Sequence, residues 1–359
     1  MNFLLNILKM TATELSEEIN VKSAILVELN KPLVISEVEL GELSVGQVLV
    51  RVLVSGICGS QLHEISGHKG NGKFLPHLMG HEGCGIVEKI GLGVTEVKPG
   101  DKVVMHWRPG LGIDAEFPKY KLDGKPFSSG RINTLTEKAI VSENRLTVVP
   151  QDTNPEFAAL LGCSLTTALG VIDNESGLKF GEKVAVVGCG GVGLNVLAAA
   201  RLAGAGEIYA VDSAETKNEI CLSQGANFFF KNLSEIPNKV DLIVDTTGNI
   251  NVISQAFGML SNRGKMILLG QPKPGEELVI PDALNFFNGS GLIIKASQGG
   301  STIPHEDIPR YLELLRLGFI SVEKLITHRF SLAEVNLAFD LLKSGNAGRI
   351  MISISKENE

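Results

Sequence analysis

The stretch Lys183-Val-Ala-Val-Val-Gly-Cys-Gly-Gly-Val-Gly193 decides the fold of this 359-residue chain. Its aliphatic run, Val184 to Val187, predicts a buried strand, and the glycines after it have the spacing G-x-G-x-x-G. A helix is predicted from Leu194 to Ala203, and a second strand, Ile208 to Val211, ends at Asp212. Strand, glycine turn, helix, strand and acid in this order predict a dinucleotide-binding βαβ unit.

The residue types in this unit suit a dinucleotide. Glycines permit a tight turn and let the pyrophosphate approach the helix N-terminus, where free N–H groups and the helix dipole favour an anion. Asp212, 19 residues after the last glycine, can accept hydrogen bonds from both adenosine ribose hydroxyls and would repel a 2′-phosphate, which favours NAD over NADP. Lys217 could steady the same ribose, although a lysine on a helix surface is the ordinary interpretation. The predicted cofactor-binding residues of the turn are Gly188, Gly190, Gly191, Val192 and Gly193.

Outward from this unit, the alternation of strand and helix continues to Ala296 and predicts about six parallel strands, a complete doubly wound domain. Beyond Gln298 two helices and a closing strand, Arg349 to Ile354, are expected to return to the first part of the chain, because the sheet is already complete. That first part has short β-type runs such as Gln47 to Val54 and predicts an irregular, mostly β domain.

Two glycine-rich motifs in the β domain carry chemistry. Cys58, Ser60 and His63 lie within six positions, and His81 and Glu82 stand side by side between glycines, where both can face one object. Zinc accepts imidazole and carboxylate ligands, although a single His-Glu pair is more often a solvated surface feature or a satisfied core histidine.

Residues 106–131 interrupt the β pattern. This segment contains the single tryptophan, Trp107, and several cations, and it is predicted as a long connection without structure of its own. Trp107 and Arg108 suggest the hypothesis of a polar or anionic substrate, while a surface lobe without chemistry is the alternative.

Composition narrows the partners and the compartment. The net charge of −7 and the pI near 5.6 argue against nucleic acid or an anionic membrane as a partner, and no run approaches the roughly 18 apolar residues of a membrane-spanning helix. The apolar run within Met1–Met10 lacks the charge and cleavage pattern of a signal peptide and is interpreted as an amphipathic helix or an extension. Five scattered cysteines do not form a disulfide pattern, so a reducing, cytoplasmic setting is expected.

With these motifs in order, the chain resembles the zinc-dependent medium-chain alcohol dehydrogenases. The resemblance rests on six pieces, which are Gly56-Ile-Cys-Gly-Ser60 with His63, Gly80-His-Glu-Gly83, Val97-Lys-Pro-Gly-Asp-Lys-Val103, Gly162-Cys163, the glycine turn and Asp212. It implies a GroES-like catalytic domain of residues 1–163 and 299–359 and a Rossmann coenzyme domain of residues 164–298.

The resemblance also implies the site. Cys58, His81 and Cys163 would bind one catalytic zinc ion, with a fourth position open for water or substrate, and Glu82 would lie close behind the metal as a transient ligand. The metal would polarise the alcohol oxygen, hydride would pass to NAD, and Ser60 would relay the proton through the cofactor ribose to His63. Arg349 resembles a position that meets the pyrophosphate.

Two departures from the family pattern concern metals. Gln61 stands where the family often has an acid that orients the metal ligands, which puts the strength of zinc binding in doubt. Residues 106–131 have none of the four cysteines that bind a structural zinc in many relatives, so one metal per chain is expected.

Three functions remain open from the sequence. The first is NAD- and zinc-dependent oxidation of an alcohol, or the reverse, on a polyol, a sugar derivative or a secondary alcohol. The others are a zinc-free quinone or enoyl reductase of the same fold and a dinucleotide-binding protein without turnover. A homodimer or homotetramer, pairing through residues 292–295, is expected by resemblance.

Overall fold

A computed structural model describes residues 19–70, 72–287 and 291–356. The N-terminal segment for which an amphipathic helix or extension is predicted lies outside these ranges. Within them no helix is both long and apolar enough to cross a membrane.

The first half of the chain is built mainly of β-strands, with three short helices. The strands are β1 (Asn20–Leu26), β2 (Val34–Leu40), β3 (Gln47–Ile57), β4 (His77–Leu78), β5 (Glu82–Ile90), β6 (Lys102–His106), β7 (Lys119–Leu122), β8 (Lys125–Ser128), β9 (Lys138–Ser142) and β10 (Leu146–Val148). The helices are α1 (Gly59–Ile65), α2 (Pro155–Leu160) and α3 (Ser164–Gly170). One sheet has the order β4-β1-β2-β7-β8, and the other begins β10-β6-β5-β3, with β9 also paired to β3.

The second half alternates strands and helices. The strands are β11 (Val184–Val187), β12 (Ile208–Val211), β13 (Phe228–Phe230), β14 (Val240–Asp245), β15 (Leu260–Leu268), β16 (Ile293–Ala296), β17 (Ile326–Ser331) and β18 (Arg349–Ser353). The helices are α4 (Gly191–Leu202), α5 (Asn218–Ser223), α6 (Ile250–Ala256), α7 (Ala283–Phe287), α8 (Pro304–Arg316) and α9 (Val335–Ser344).

Six strands form a parallel sheet in the order β13-β12-β11-β14-β15-β16. β11 lies at its centre between β12 and β14, and its four residues are almost fully buried, as the continuous aliphatic run predicted. The glycine turn follows at the carboxyl end of β11 and leads into α4. A β-carbon on Gly193 would lie 1.9 Å from the carbonyl oxygen of Gly188, so only glycine allows the helix to start this close to the strand.

The C-terminal strand returns to the β domain. β18 pairs antiparallel with β3, Ile350 opposite Ile57, and β17 pairs parallel with β18. This pairing brings Arg349, at the start of β18, beside the end of β3 and the cysteine motif that follows it. Chain segments about 290 residues apart in sequence therefore meet at one place.

The prediction that residues 106–131 lack structure of their own is wrong. Strands β7 and β8 form an antiparallel hairpin, with Leu122 opposite Lys125, at the edge of the first sheet. Its two-residue turn is Asp123-Gly124, and both residues have positive φ, 50° and 70°. Asp-Gly is a strong hairpin signal in sequence, because this turn needs residues that tolerate the left-handed region.

Candidate active site

Three predicted metal ligands meet where the two halves of the chain face each other. Cys58 follows β3, His81 precedes β5, and Cys163 precedes α3. Their ligand atoms, two thiol sulfurs and an imidazole nitrogen, lie within 4.8 Å of one another. Within residues 19–70, 72–287 and 291–356, one group of three or more such side chains lies close enough together to hold a metal ion, and it is this one.

The chemistry of these donors fits zinc. Two thiols and one imidazole are a ligand set that zinc accepts in catalytic sites with an open fourth position. The pKa of the Cys58 thiol lies well below its usual value because Cys163 hydrogen-bonds to it, and the same interaction raises the pKa of Cys163. One thiolate thus forms readily, and a cation can replace the proton that the two sulfurs share.

Ser60 and His63 stand beside this cluster on α1. Ser60 Oγ lies 3.3 Å from Cys58 Sγ and 3.4 Å from His81 Nε2. His63, one turn further along the helix, lines the same cleft, as does Gln271 of the coenzyme domain. Partial burial, with the nearby charges of His68 and Lys69, lowers the pKa of His63. The ring is therefore neutral at pH 7 and able to accept a proton.

Gln61 has no exposed surface and caps the start of α1. Its Oε1 accepts a hydrogen bond from the backbone N–H of Cys58 at 2.8 Å. Its Nε2 is buried without a hydrogen-bond partner in the described part of the chain. The glutamine thus holds the backbone of one predicted metal ligand, but it adds no negative charge behind the predicted metal site as an acid would.

Glu82 and Arg349, predicted separately, form one buried ion pair. Arg349 Nη2 donates to Glu82 Oε1, and the backbone N–H of Ser164 donates to Oε2 at 3.2 Å. Burial raises the pKa of Glu82, while the charge of Arg349 acts in the opposite direction. The arginine also reaches the nucleotide turn, since a β-carbon on Gly191 would lie 2.5 Å from Arg349 Cδ. This pair therefore connects the ligand region to the start of α4.

The acid at the end of β12 is held firmly in place. Asp212 Oδ2 accepts hydrogen bonds from the backbone N–H of Cys189 and from Lys217 Nζ, both at 2.8 Å. Its Oδ1 accepts from the backbone N–H of Ala214 at 2.9 Å. The ordinary interpretation of Lys217 as a surface lysine is wrong, because its side chain is 12% exposed and paired with Asp212.

One cleft of about 550 Å³ joins these elements. Its lining includes Cys58, His81 and Cys163, the residues of the glycine turn from Gly190 to Val192, and Arg349. Sequence reasoning missed other lining residues, chiefly Thr246, Thr247, Leu269 and Gln271. All four follow the carboxyl ends of β14 and β15, so the rule that ligands bind there could have identified them.

The hypothesis that Arg108 binds an anionic substrate is not supported. Its Nε donates to the carbonyl of Thr302 at 2.9 Å and its Nη1 to the carbonyl of Gln298 at 2.5 Å. These donors face the protein main chain. Trp107, by contrast, lines the cleft.

Comparisons with known proteins agree with this geometry. Residues 44–151 match the family described as "Alcohol dehydrogenase GroES-like domain", and residues 191–316 match "Zinc-binding dehydrogenase". The chain is 30% identical to an S-(hydroxymethyl)glutathione dehydrogenase of Escherichia coli over 92% of this chain and 99% of the relative. It is 31% identical to an alcohol dehydrogenase class-3 of Cereibacter sphaeroides, with the same coverage. A solved alcohol dehydrogenase zinc-binding domain protein from Burkholderia ambifaria superimposes with a TM-score of 0.86 at 25% identity, covering 95% of this chain and 100% of that one.

Fold and site together define a two-domain oxidoreductase that uses a metal and a dinucleotide. The chain belongs to the zinc-dependent medium-chain alcohol dehydrogenase family. The predicted combination of a GroES-like domain with a Rossmann domain is confirmed, and so is the NAD-dependent zinc alcohol dehydrogenase activity. The alternatives, a zinc-free reductase and a binding protein without turnover, are not better supported.

Proposed function

We propose that Cys58, His81 and Cys163 hold one catalytic zinc ion, at which an uncharged alcohol is oxidised with NAD or the corresponding carbonyl is reduced. The observation that carries this proposal is the meeting of three zinc-type donors within 4.8 Å in the same cleft as the glycine turn. When bound, zinc supplies Lewis-acid polarisation of the substrate oxygen, and NAD supplies the hydride acceptor.

Ser60 and His63 carry the proton in this proposal. The Ser60 hydroxyl lies beside Cys58 and His81, so it can hydrogen-bond a substrate oxygen held at the cluster. His63, which lines the same cleft, would be the terminal proton acceptor and would pass the proton to solvent. Its lowered pKa suits this role because the neutral ring accepts a proton at pH 7.

Glu82 contributes in a second way. Its carboxylate is paired with Arg349 and with the backbone N–H of Ser164, and we propose that it would bind the metal only transiently. Arg349 lies between Glu82 and Gly191, which supports its role at the pyrophosphate. Gly188, Gly190, Gly191, Val192 and Gly193 would cradle the pyrophosphate, and Asp212 with Lys217 would hold the adenosine ribose and select NAD.

The substrate we propose is uncharged. Arg108, which the sequence suggests as the group that binds an anionic substrate, donates its hydrogen bonds to main-chain carbonyls instead. Trp107 and Leu269 provide apolar walls, and Gln271 and Gln298 provide amide groups for further hydroxyls. A polyol, a sugar derivative or a secondary alcohol fits this mixture. A screen should also include the anionic compound S-(hydroxymethyl)glutathione, which stands in the name of the Escherichia coli relative and whose turnover would contradict an uncharged substrate.

The remaining organisation follows the same reasoning. We propose domain boundaries at residues 163/164 and 298/299, with the coenzyme domain between them. We also propose a homodimer or homotetramer that pairs through β16, and a cytoplasmic location. All five cysteines are free thiols, and two of them serve the metal site, which supports a reducing compartment.

Metal analysis tests the zinc site independently of turnover. The wild-type chain is expected to contain one zinc ion and to lose NAD reduction on chelation. Cys163→Ala is expected to lose zinc and at least 100-fold in activity, since the three-ligand set is broken. Cys221→Ala is the matched control, because Cys221 is a free cysteine outside the cluster. Full turnover by metal-free wild-type protein would instead identify a zinc-free reductase.

A further inference from the structure

Arg108 joins the two halves of the chain at the wall of the cleft. It lies two residues beyond the end of β6 in the β domain, whereas both of its acceptors lie in residues 297–302, the segment that leads from β16 to α8. Nη1 contacts the carbonyl of Gln298, near the start of this segment, and Nε contacts the carbonyl of Thr302, at its end. The planar guanidinium can hold both at once because its donors have a fixed geometry.

The neighbouring tryptophan shares this contact. The Arg108 guanidinium lies 5.5 Å from the centre of the Trp107 ring, within the range of a cation–π interaction. Trp107 lines the cleft, and so do its neighbours Ser297, Gln298 and Gly299. The arginine therefore contacts both chain segments, that of Trp107 and residues 297–302, that form this wall of the cleft.

The wall is too tightly packed to accept another residue at Gly299. A β-carbon there would lie 2.7 Å from Trp107 Cζ2 and 2.9 Å from Arg108 Cδ. Gly299 also has a φ of +78°, which residues with a β-carbon rarely adopt. Both the space and the backbone conformation require glycine, which shows that ring, guanidinium and segment pack as one unit.

Other contacts hold the segment without Arg108. Thr302 Oγ1 donates to the carbonyl of Gly299 at 2.9 Å, and the backbone N–H of Gly300 donates to Ser297 Oγ at 3.2 Å. Asn174 Nδ2, beyond α3, donates to the carbonyl of Gly300 at 3.1 Å. Loss of the arginine should thus free Trp107 from the segment while the segment keeps its own conformation.

We propose that Arg108 is a positioning residue that fixes Trp107 against Gln298 and Gly299 and so determines how bulky an alcohol reaches the metal cluster. The part of this proposal that concerns substrate size rests on the proposed function. The part that concerns the tryptophan does not.

Trp107 is the single tryptophan of the chain and reports directly on its own position. In Arg108→Met, which keeps a long apolar side chain but removes the donors, we expect the acrylamide quenching constant of the fluorescence to rise at least twofold. Arg316→Met is the matched control, because Arg316 is exposed on α8 and pairs with Glu313. Quenching should be unchanged there, and Arg108→Lys should fall between wild type and Arg108→Met because lysine keeps the charge but not the fork.

Kinetics test the consequence. The ratio of kcat/KM for benzyl alcohol to that for ethanol is expected to change by about tenfold in Arg108→Met, mainly through KM, the scale on which apolar pockets discriminate size. Zinc content should stay at one per chain. Unchanged quenching with an unchanged ratio would overturn the proposal.

A different failure would also count against it. If Arg108→Met and Arg108→Lys both unfold or lose zinc, the arginine is needed for the fold, and its proposed role in positioning Trp107 is not supported. If the wild-type chain oxidises no alcohol, the proposed function fails, and the quenching measurements still decide whether Arg108 positions Trp107.

Discussion

At the scale of single residues, Asp212 is the side chain proposed to select NAD. Its carboxylate is oriented by three N–H donors, two from the backbone and one from Lys217, so its position at the end of β12 is fixed. Asp212→Asn keeps the shape and removes the charge that would repel a 2′-phosphate. We expect the ratio of kcat/KM for NAD to that for NADP to fall by roughly tenfold, one decade of discrimination being 1.4 kcal/mol.

The control for Asp212→Asn is a substitution that removes the charge of a nearby acid outside the proposed ribose site. Glu215 is exposed and pairs with Lys231, so Glu215→Gln should leave the cofactor ratio unchanged. An equal change in both variants would show a general effect of charge rather than recognition by Asp212.

His63 makes a prediction about pH. Because burial and the nearby His68 and Lys69 lower its pKa, alcohol oxidation should decline as the pH falls through a value below 6.5 and the ring becomes charged. His63→Gln should reduce kcat by roughly 10- to 100-fold, at or below the lower limit of the range for positioned acid–base groups, because water can replace the histidine as proton acceptor.

His68→Gln separates this account from a simple loss of activity. The two rings lie 5.5 Å apart, and removal of the His68 charge should raise the pKa of His63. The acidic limb of the kcat profile is expected to move to higher pH while the maximum rate stays close to wild type. If neither substitution changes the pH profile of kcat, His63 does not take part in the proton relay.

At the scale of elements, a buried carboxylate helps to hold residues 106–131, the lobe that lacks the four family cysteines. Glu143 accepts hydrogen bonds from the backbone N–H groups of Thr95 at 2.5 Å, Glu96 at 2.8 Å and Ile113 at 2.7 Å. These bonds tie the loop before β6 and the loop after it to the residue that follows β9. Hydrogen bonds to a buried charge thus hold this lobe.

Glu143→Gln should destabilise the protein, because the amide replaces one acceptor oxygen with a donor, so that the hydrogen bonds from Thr95, Glu96 and Ile113 can no longer all form. We expect the free energy of unfolding to fall by about 1–3 kcal/mol, measured by urea denaturation. Zinc content should be unaffected, since the cluster lies elsewhere. Glu96→Gln, at an exposed acid in the loop before β6, should change stability little, and equal losses in the two variants would contradict the role of Glu143.

At the scale of the whole molecule, the coenzyme sheet ends at β16, whose Ile293 is 54% exposed. Leu284 and Phe287 of the preceding α7 are also exposed, so an apolar surface accompanies the edge strand. Such an edge can pair with a second copy. Ile293→Lys should therefore reduce the mass found by light scattering to that of a smaller oligomer or monomer.

The opposite edge of the same sheet provides the control. Phe228 on β13 is 47% exposed, and Phe228→Lys places the same charge on that edge. We expect its oligomeric state to match wild type. A wild-type protein that is monomeric at all concentrations would contradict assembly through β16.

Much of the fold and part of the site were predictable because their signals are local. β11, the glycine turn and Asp212 lie within 30 residues, and the geometry of a parallel βαβ unit follows from periodicity and glycine spacing. The Asp123-Gly124 turn was equally local, so the missed hairpin was readable from the sequence. Cys58, His81 and Cys163 are far apart in the chain, and the resemblance, not their spacing, linked them.

By itself, the sequence determined the doubly wound domain and the mostly β domain, and it supplied the residues that are proposed to hold zinc and NAD. Only the tertiary structure decided which side chains are free to act. In the folded chain Glu82 pairs with Arg349, 267 residues away, and Lys217 pairs with Asp212. Arg108 donates hydrogen bonds to the carbonyls of Gln298 and Thr302. Hydrogen-bond partners depend on distance in space, and a charged residue has the same letter in the sequence whether its partner is a substrate or the protein's own main chain.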